Sequence, residues 1–270
     1  MFNKKNIPIF LLVILMGGSV GLWLNYIYTA TSNKEVPKIS ITNSNVKKLA
    51  DISNAVFVNT LDSVTRVTPV IIDEGNPAST SKINKQDIFD LKLNSKFFIE
   101  NNDLNIAFLR KVLSHELGHV MSLKNNQISK FSTVDKTKID RGLFDKEEKE
   151  CGENYYNLEG CFASSSYISS YYKKFWTGNM KTEYDNIQKV VDKTEFQNQM
   201  SVWYAKYKDQ FISDIATTTP EEDMAESFSL WVIGYDETKL SDIQKTKIKF
   251  FDQFSELVQI KQKFNTTISV

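Results

Sequence analysis

The chain has 270 residues, 41% of them hydrophobic, which is enough apolar material for one sizeable domain. Its 33 basic and 33 acidic side chains cancel, excluding both the basic excess of a nucleic-acid-binding surface and the acidic tail of a solvating arm. Ten glycines and five prolines are too few for a low-complexity chain, and no internal repeat is visible.

Lys4 and Lys5 precede an uncharged run that ends at Lys34. Residues 7–24 are almost wholly apolar, and Trp23, Tyr26 and Tyr28 gather at the far end of the run. A membrane-spanning helix needs roughly 20 apolar residues. Lysines hold their own flank in the cytoplasm, and aromatic rings suit the opposite interface. Residues 1–30 therefore read as an uncleaved, single-pass signal-anchor. The competing reading is a cleaved secretory signal, for which Tyr28-Thr29-Ala30 is a poor site because Tyr28 is bulky. No cysteine follows to carry a lipid. Both readings put the body of the protein outside the cytoplasm, at the cell membrane or secreted. Residues 31–44 are polar, contain Pro37 and read as a tether, and 45–270 read as one domain.

Val46, Leu49, Ile52, Val56 and Leu61 predict a helix over 45–61. The β-branched run 67–72 predicts a strand, 73–85 with Gly75 and Pro77 a loop, and 89–100 a second strand. Asn101-Asn102-Asp103 reads as a helix start, with a helix over 104–123. The polar stretch 124–160 reads as a surface excursion. Helices are then expected over 164–176, 192–211, 220–233 and 242–264, their aromatic stripes (Phe196, Trp203, Tyr204, Tyr207) serving as core. The sum is an α+β chain, mostly helical, with a small sheet beside the helix 104–123.

Cys151 and Cys161 are the only cysteines and lie ten positions apart around a polar stretch. Outside the cytoplasm such a pair is expected to form a disulfide, worth roughly 2–3 kcal/mol. The alternatives are two free thiols, or a second metal site for which no spare histidine exists.

The chain has two histidines, and both stand in His115-Glu116-Leu117-Gly118-His119. This is H-E-x-x-H, the pattern of a hydrolytic zinc site. At 100° per residue His115 and His119 share a helix face with Phe108 and Val112, and Glu116 lies at its edge. Ile106, Leu109, Leu113, Leu117 and Val120 form a separate apolar stripe. Two imidazoles one turn apart can reach one zinc ion, and Glu116 can serve as the base for the water on that ion. Gly118 has no side chain and lets another segment approach. A catalytic site needs a third protein ligand. No further histidine exists, so a carboxylate must serve. Glu222 and Glu226, one turn apart on the predicted helix 220–233, are the candidates. Thr219 followed by Glu222 is also a capping box with Pro220 at the first helical position, so Glu222 has a structural claim on it as well. The residues alone leave the choice between the two carboxylates open.

The pairing of H-E-L-G-H with Glu222-Asp223-Met224-Ala225-Glu226-Ser227-Phe228 resembles the zincins related to anthrax toxin lethal factor and the secreted Pro-Pro endopeptidases. The resemblance covers these two helices and, loosely, the domain between them. It implies a zincin-like fold and one catalytic Zn2+ held by His115, His119 and Glu222. It gives Glu226 a supporting role and Glu116 the role of base in an attack of zinc-bound water on a peptide bond. Peptides or proteins would be the substrates, and no nucleic acid is involved. One position departs from the family. A tyrosine often stands seven residues before the third ligand, and here that residue is Ile215. Tyr204, Tyr207 and Tyr235 are the candidate substitutes. The alternative function is a catalytically weak or inactive zincin-like binding module at the cell surface.

Overall fold

The helical spacing of 45–61 becomes α1 (Asn43–Thr60) in the computed structural model, starting inside the stretch expected to be tether. The structure describes residues 43–269. The predicted signal-anchor and the tether up to residue 42 lie outside the described residues. Among the described residues no helix is long and apolar enough to cross a membrane. Contacts divide the described chain into two units, one of residues 43–125 with 224–269, the other Asn126–Asp223.

In the first unit α1 packs on a three-stranded sheet of β1 (Arg66–Ile72), β2 (Ala78–Lys82) and β3 (Ile88–Asn94). The strand order is β1-β3-β2, with β1 parallel and β2 antiparallel to β3. Phe89, Leu91 and Leu93 alternate along β3 and are fully buried, as a half-buried strand requires. β2 falls in the expected loop 73–85 and corrects it. Its sequence, Ala78-Ser79-Thr80-Ser81-Lys82, has no apolar alternation, and backbone pairing to β3 holds it in place. The expected strand 89–100 is also corrected. The Asn94 side chain accepts from Lys96 N and starts the one-turn helix α2 (Ser95–Phe98). Then β4 (Ile99–Glu100) pairs with β5 (Asp103–Leu104) around Asn101 and Asn102, whose φ values are 50° and 64°. Asparagine tolerates left-handed backbone and favours two-residue hairpins, so the expected helix start is a β-turn. The true cap is Asn105, which accepts from Phe108 N at 3.0 Å and opens α3 (Ile106–Leu123). Leu109, Leu113, Leu117 and Val120 are fully buried along one stripe of α3, as expected. At the far end the buried Lys82 ammonium donates to the Leu123 carbonyl, closing the helix.

The second unit corrects the expected excursion at 124–160, most of which is folded. Its sheet has the order β6-β8-β7, from β6 (Ile128–Phe131), β7 (Tyr156–Asn157) and β8 (Gly160–Phe162). Helix α4 (Arg141–Cys151) packs on it and ends at the Cys151–Cys161 disulfide, with the Cα atoms 5.5 Å apart. Gly160 has φ +139°, and a Cβ there would meet the Lys130 carbonyl at 2.1 Å, so no other residue fits. Burial raises the pKa of the Glu147 carboxyl, but hydrogen bonds from Thr133, Ser132 and Tyr156 outweigh it and bring the value to about 2. A lowered folded-state pKa stabilises above the unfolded value of 4.5, and that contribution disappears as pH falls toward about 2. Glu147→Gln should therefore lower stability at pH 7 by about 2 kcal/mol and flatten the acid limb of a denaturation-versus-pH profile. An unchanged limb would reject the assignment.

Helix α5 (Tyr167–Phe175) follows, then α6 (Gly178–Ile187), which lies outside every expected element, and α7 (Lys193–Tyr207). Trp176, Tyr184, Trp203 and Phe211 form one aromatic cluster, with Trp176–Tyr184 and Trp203–Phe211 centroids at 4.8 and 5.2 Å. The expected helix 220–233 is α8 (Pro220–Ile233), with the same bounds.

Back in the first unit, the expected helix 242–264 is broken. α9 (Asp242–Lys249) passes through a 3-10 turn to Phe254, which is extended at φ −106°, before α10 (Ser255–Thr267). Phe250 and Phe251 would face directions 100° apart on a continued helix. In the broken form both are buried, and Phe251 meets the Phe228 ring at 5.2 Å. The chain is α+β, predominantly helical with small sheets.

Candidate metal centre

Two helices build the site, and Gly118 sets their approach. A Cβ on Gly118 would stand 3.2 Å from Ala225 Cα and 3.2 Å from the Phe228 ring. The segment that glycine was expected to admit is therefore α8. Beside it the Ser114 and Ser229 hydroxyls meet at 2.7 Å, and Ser229 donates to the Lys111 carbonyl at 3.1 Å. Gly118→Ala should gain about 1 kcal/mol of helix propensity and lose about 2 kcal/mol to overpacking against backbone. The net result expected from chemical denaturation is a small loss of stability, and a stabilised variant would show that the helices can part freely.

His115 and His119 are half-buried on α3, on the face that carries Phe108 and Val112. Their Nε2 atoms are 3.1 Å apart. In a tetrahedral zinc site with Zn–N bonds of about 2.0–2.1 Å, two such nitrogens stand about 3.3 Å apart. His115 Nδ1 lies 2.8 Å from Glu226 Oε1. A carboxylate only accepts, so Nδ1 carries the proton and the Nε2 lone pair faces the other imidazole. A carboxylate oxygen of Glu222 completes the group, with all three ligand atoms within 4.8 Å of one another. Glu222 and Glu226 lie on one unbroken helix, α8. Glu222 is therefore set one turn, about 6 Å along the axis, before Glu226 by helix geometry.

The two claims on Glu222 prove compatible. Thr219 Oγ1 accepts from the Glu222 backbone amide at 3.2 Å, so the cap uses the main chain while the carboxylate lies with the imidazoles. Glu226 does the other job, on His115 Nδ1. Glu116, on the same turn as the histidines, is 5% exposed, and its Oε2 is buried without a hydrogen-bond partner. Such an atom costs about 1–3 kcal/mol unless a ligand or water meets it. Two imidazoles and a carboxylate fit a catalytic zinc ion by donor chemistry, and the unmatched acceptor of Glu116 is carried on the same helical turn as the histidines.

Ile215 is half-buried in a 3-10 turn, Ile215–Thr217, and offers no polar atom. Of the suggested substitutes, Tyr207 packs against Trp203 with ring centroids 5.5 Å apart, and Tyr235 donates to Glu237. Tyr204 is half-buried on α7.

Sequence reasoning missed the side chains that hold the run leading into α8. Tyr184 donates its hydroxyl to the Thr218 carbonyl. Glu221 receives the Tyr155 hydroxyl on Oε2 and Asn157 Nδ2 on Oε1, the latter at 2.9 Å. The buried Asp223 accepts from Trp176 Nε1 at 3.0 Å, and its carbonyl from the Tyr171 hydroxyl at 3.3 Å. Burial first, and then the Glu221 carboxylate, push the Tyr155 phenol well above its usual pKa, so it stays a donor. Tyr155 and Asn157 fall in the expected surface excursion and Tyr171 and Trp176 in an expected aromatic stripe, and nothing in their spacing marks a polar role.

No protein-family model matches the chain, and no curated protein or solved structure is similar to it.

Proposed function

We propose that the chain is a zincin-type zinc endopeptidase, akin to the lethal factor and Pro-Pro endopeptidase group, anchored outside the cell membrane or secreted. The observation that carries this reading is the convergence of one nitrogen each of His115 and His119 with a Glu222 oxygen, on the helix that also carries the buried, partnerless Glu116 Oε2. The disulfide agrees with an address in an oxidising compartment.

His115, His119 and Glu222 would hold one Zn2+. A bound zinc ion lowers the pKa of water to about 7 and polarises a carbonyl as a Lewis acid. The chain's own residues supply the rest. Glu116 takes a proton from the attacking water and returns it to the leaving amine. Glu226 holds the Nδ1 proton of His115, which keeps the ring in the tautomer and orientation that present Nε2. Gly118 and the Ser114–Ser229 contact keep the two helices at the separation this arrangement needs. A closed structural site would take four protein ligands, and the group among the described residues has three.

Ile215 favours a second reading, a zincin-like binding module with weak or no turnover. A missing oxyanion donor costs a hydrolase about 10²–10³ in turnover. The test is to measure zinc content and incubate the zinc-loaded protein with a peptide library. Internal cleavage establishes the peptidase. Zinc without cleavage establishes the module, and no zinc binding removes both.

A further inference from the structure

The third metal ligand sits where a helix is least restrained. Glu222 is in the first turn of α8, where backbone amides lack intrahelical partners and fraying begins. It is also the middle of three consecutive acids, Glu221-Glu222-Asp223. Adjacent helical residues point 100° apart, so what fixes the outer two fixes the direction of the middle one. Asp223 is fixed by Trp176, and Glu221 by Tyr155 and Asn157.

Resting on the metal reading above, we infer that Tyr155 and Asn157 are positioning residues for the third ligand: by clamping both oxygens of Glu221 they hold the first turn of α8 so that Glu222 faces the imidazoles. The loop that carries them is built to be stiff. The Cys151–Cys161 disulfide closes it, and β7 pairs with β8 inside it, Asn157 opposite Gly160. Asn157 Oδ1 accepts from Glu159 N at 2.8 Å, which orients the amide so that Nδ2 points to Glu221. The Tyr155 ring is buried and lies edge-on to Tyr172 at 5.2 Å, while its backbone amide donates to Ser169 Oγ at 3.1 Å. Two fixed donors on one carboxylate are more than a helix start needs, because the Thr219 hydroxyl already caps it.

The test uses the full chain. Tyr155→Phe and Asn157→Ala are made singly and together, each in the natural background and with Glu222→Ala. Zn2+ affinity is read by competition with a chromophoric chelator, the visible spectrum of the Co2+-loaded protein reports ligand geometry, and circular dichroism reports the fold. The double variant should lose roughly 10–100-fold in zinc affinity and shift the Co2+ bands, with helix content unchanged. In the Glu222→Ala background the same changes should cost nothing further, because they act only through that ligand. Unchanged affinity in a folded variant, or an equal loss without Glu222, would overturn the inference. Asn157→Ala alone, at a half-buried position, gives the reading if the double variant does not fold. A natural chain that binds no zinc removes the metal reading and this inference together. A natural chain that binds zinc and is indifferent to the loop removes this inference alone.

Discussion

Glu116→Gln is expected to keep its zinc and lose peptide hydrolysis by about 10²–10⁴-fold, the usual contribution of a positioned acid–base group. Glutamine has the same shape and can occupy the same 5% exposed position, so the neighbouring imidazoles are undisturbed. What it cannot do is accept a proton. Oε2 is buried with no hydrogen-bond partner, so the substitution breaks no contact in the folded protein at that oxygen. Stability should therefore change little while turnover collapses. Zinc content and the rate on any library-derived substrate are measured on the same preparation. Equal rates for the two proteins would reject Glu116 as the base.

Glu222→Ala should cost more than about 100-fold in zinc affinity, beyond the 10–100-fold typical of a group that only orients a ligand. Glu226→Ala should fall within that lower range. Glu222 contributes an oxygen to the group itself, whereas Glu226 touches His115 Nδ1, on the far side of the ring. Removing Glu226 leaves both imidazoles and the carboxylate in place but frees the ring to turn and change tautomer. Chelator competition on the two variants separates the roles, and the reverse order would exchange them.

The parts legible in the sequence are those where a local pattern and the tertiary environment agree. The stripe Leu109, Leu113, Leu117, Val120 is buried as its period requires. Helix α8 begins at Pro220 because Thr219 caps it, a signal contained in four consecutive residues. The cysteine pair is legible because these are the only two cysteines and they lie ten positions apart. The illegible parts have their order imposed from elsewhere. β2 is polar throughout and exists because β3 offers it a backbone edge. The Asn101-Asn102 turn has the composition of a helix start, and only its positive φ values distinguish it. The terminal helix is interrupted at Phe254, which is extended, and nothing in the 3.6-residue pattern of 242–264 marks that break. Helix α6 is different: Met180, Tyr184 and Ile187 repeat at helical spacing and are all buried, but the signal spans only eight residues of a polar stretch. At the site, the two histidines and Glu116 could be read from a five-residue motif. The clamp on Glu221 could not, because Tyr155 and Asn157 lie over sixty residues away from it and look like ordinary loop residues.

The concentration of both histidines at one place has a practical consequence for spectroscopy. Every imidazole nitrogen in the chain belongs to the site, and one of them, His115 Nδ1, has its proton fixed by Glu226. A nitrogen-15 spectrum of selectively labelled histidine would carry no background from elsewhere in the molecule. Metal loading, ring tautomer and ligand exchange could each be followed there atom by atom.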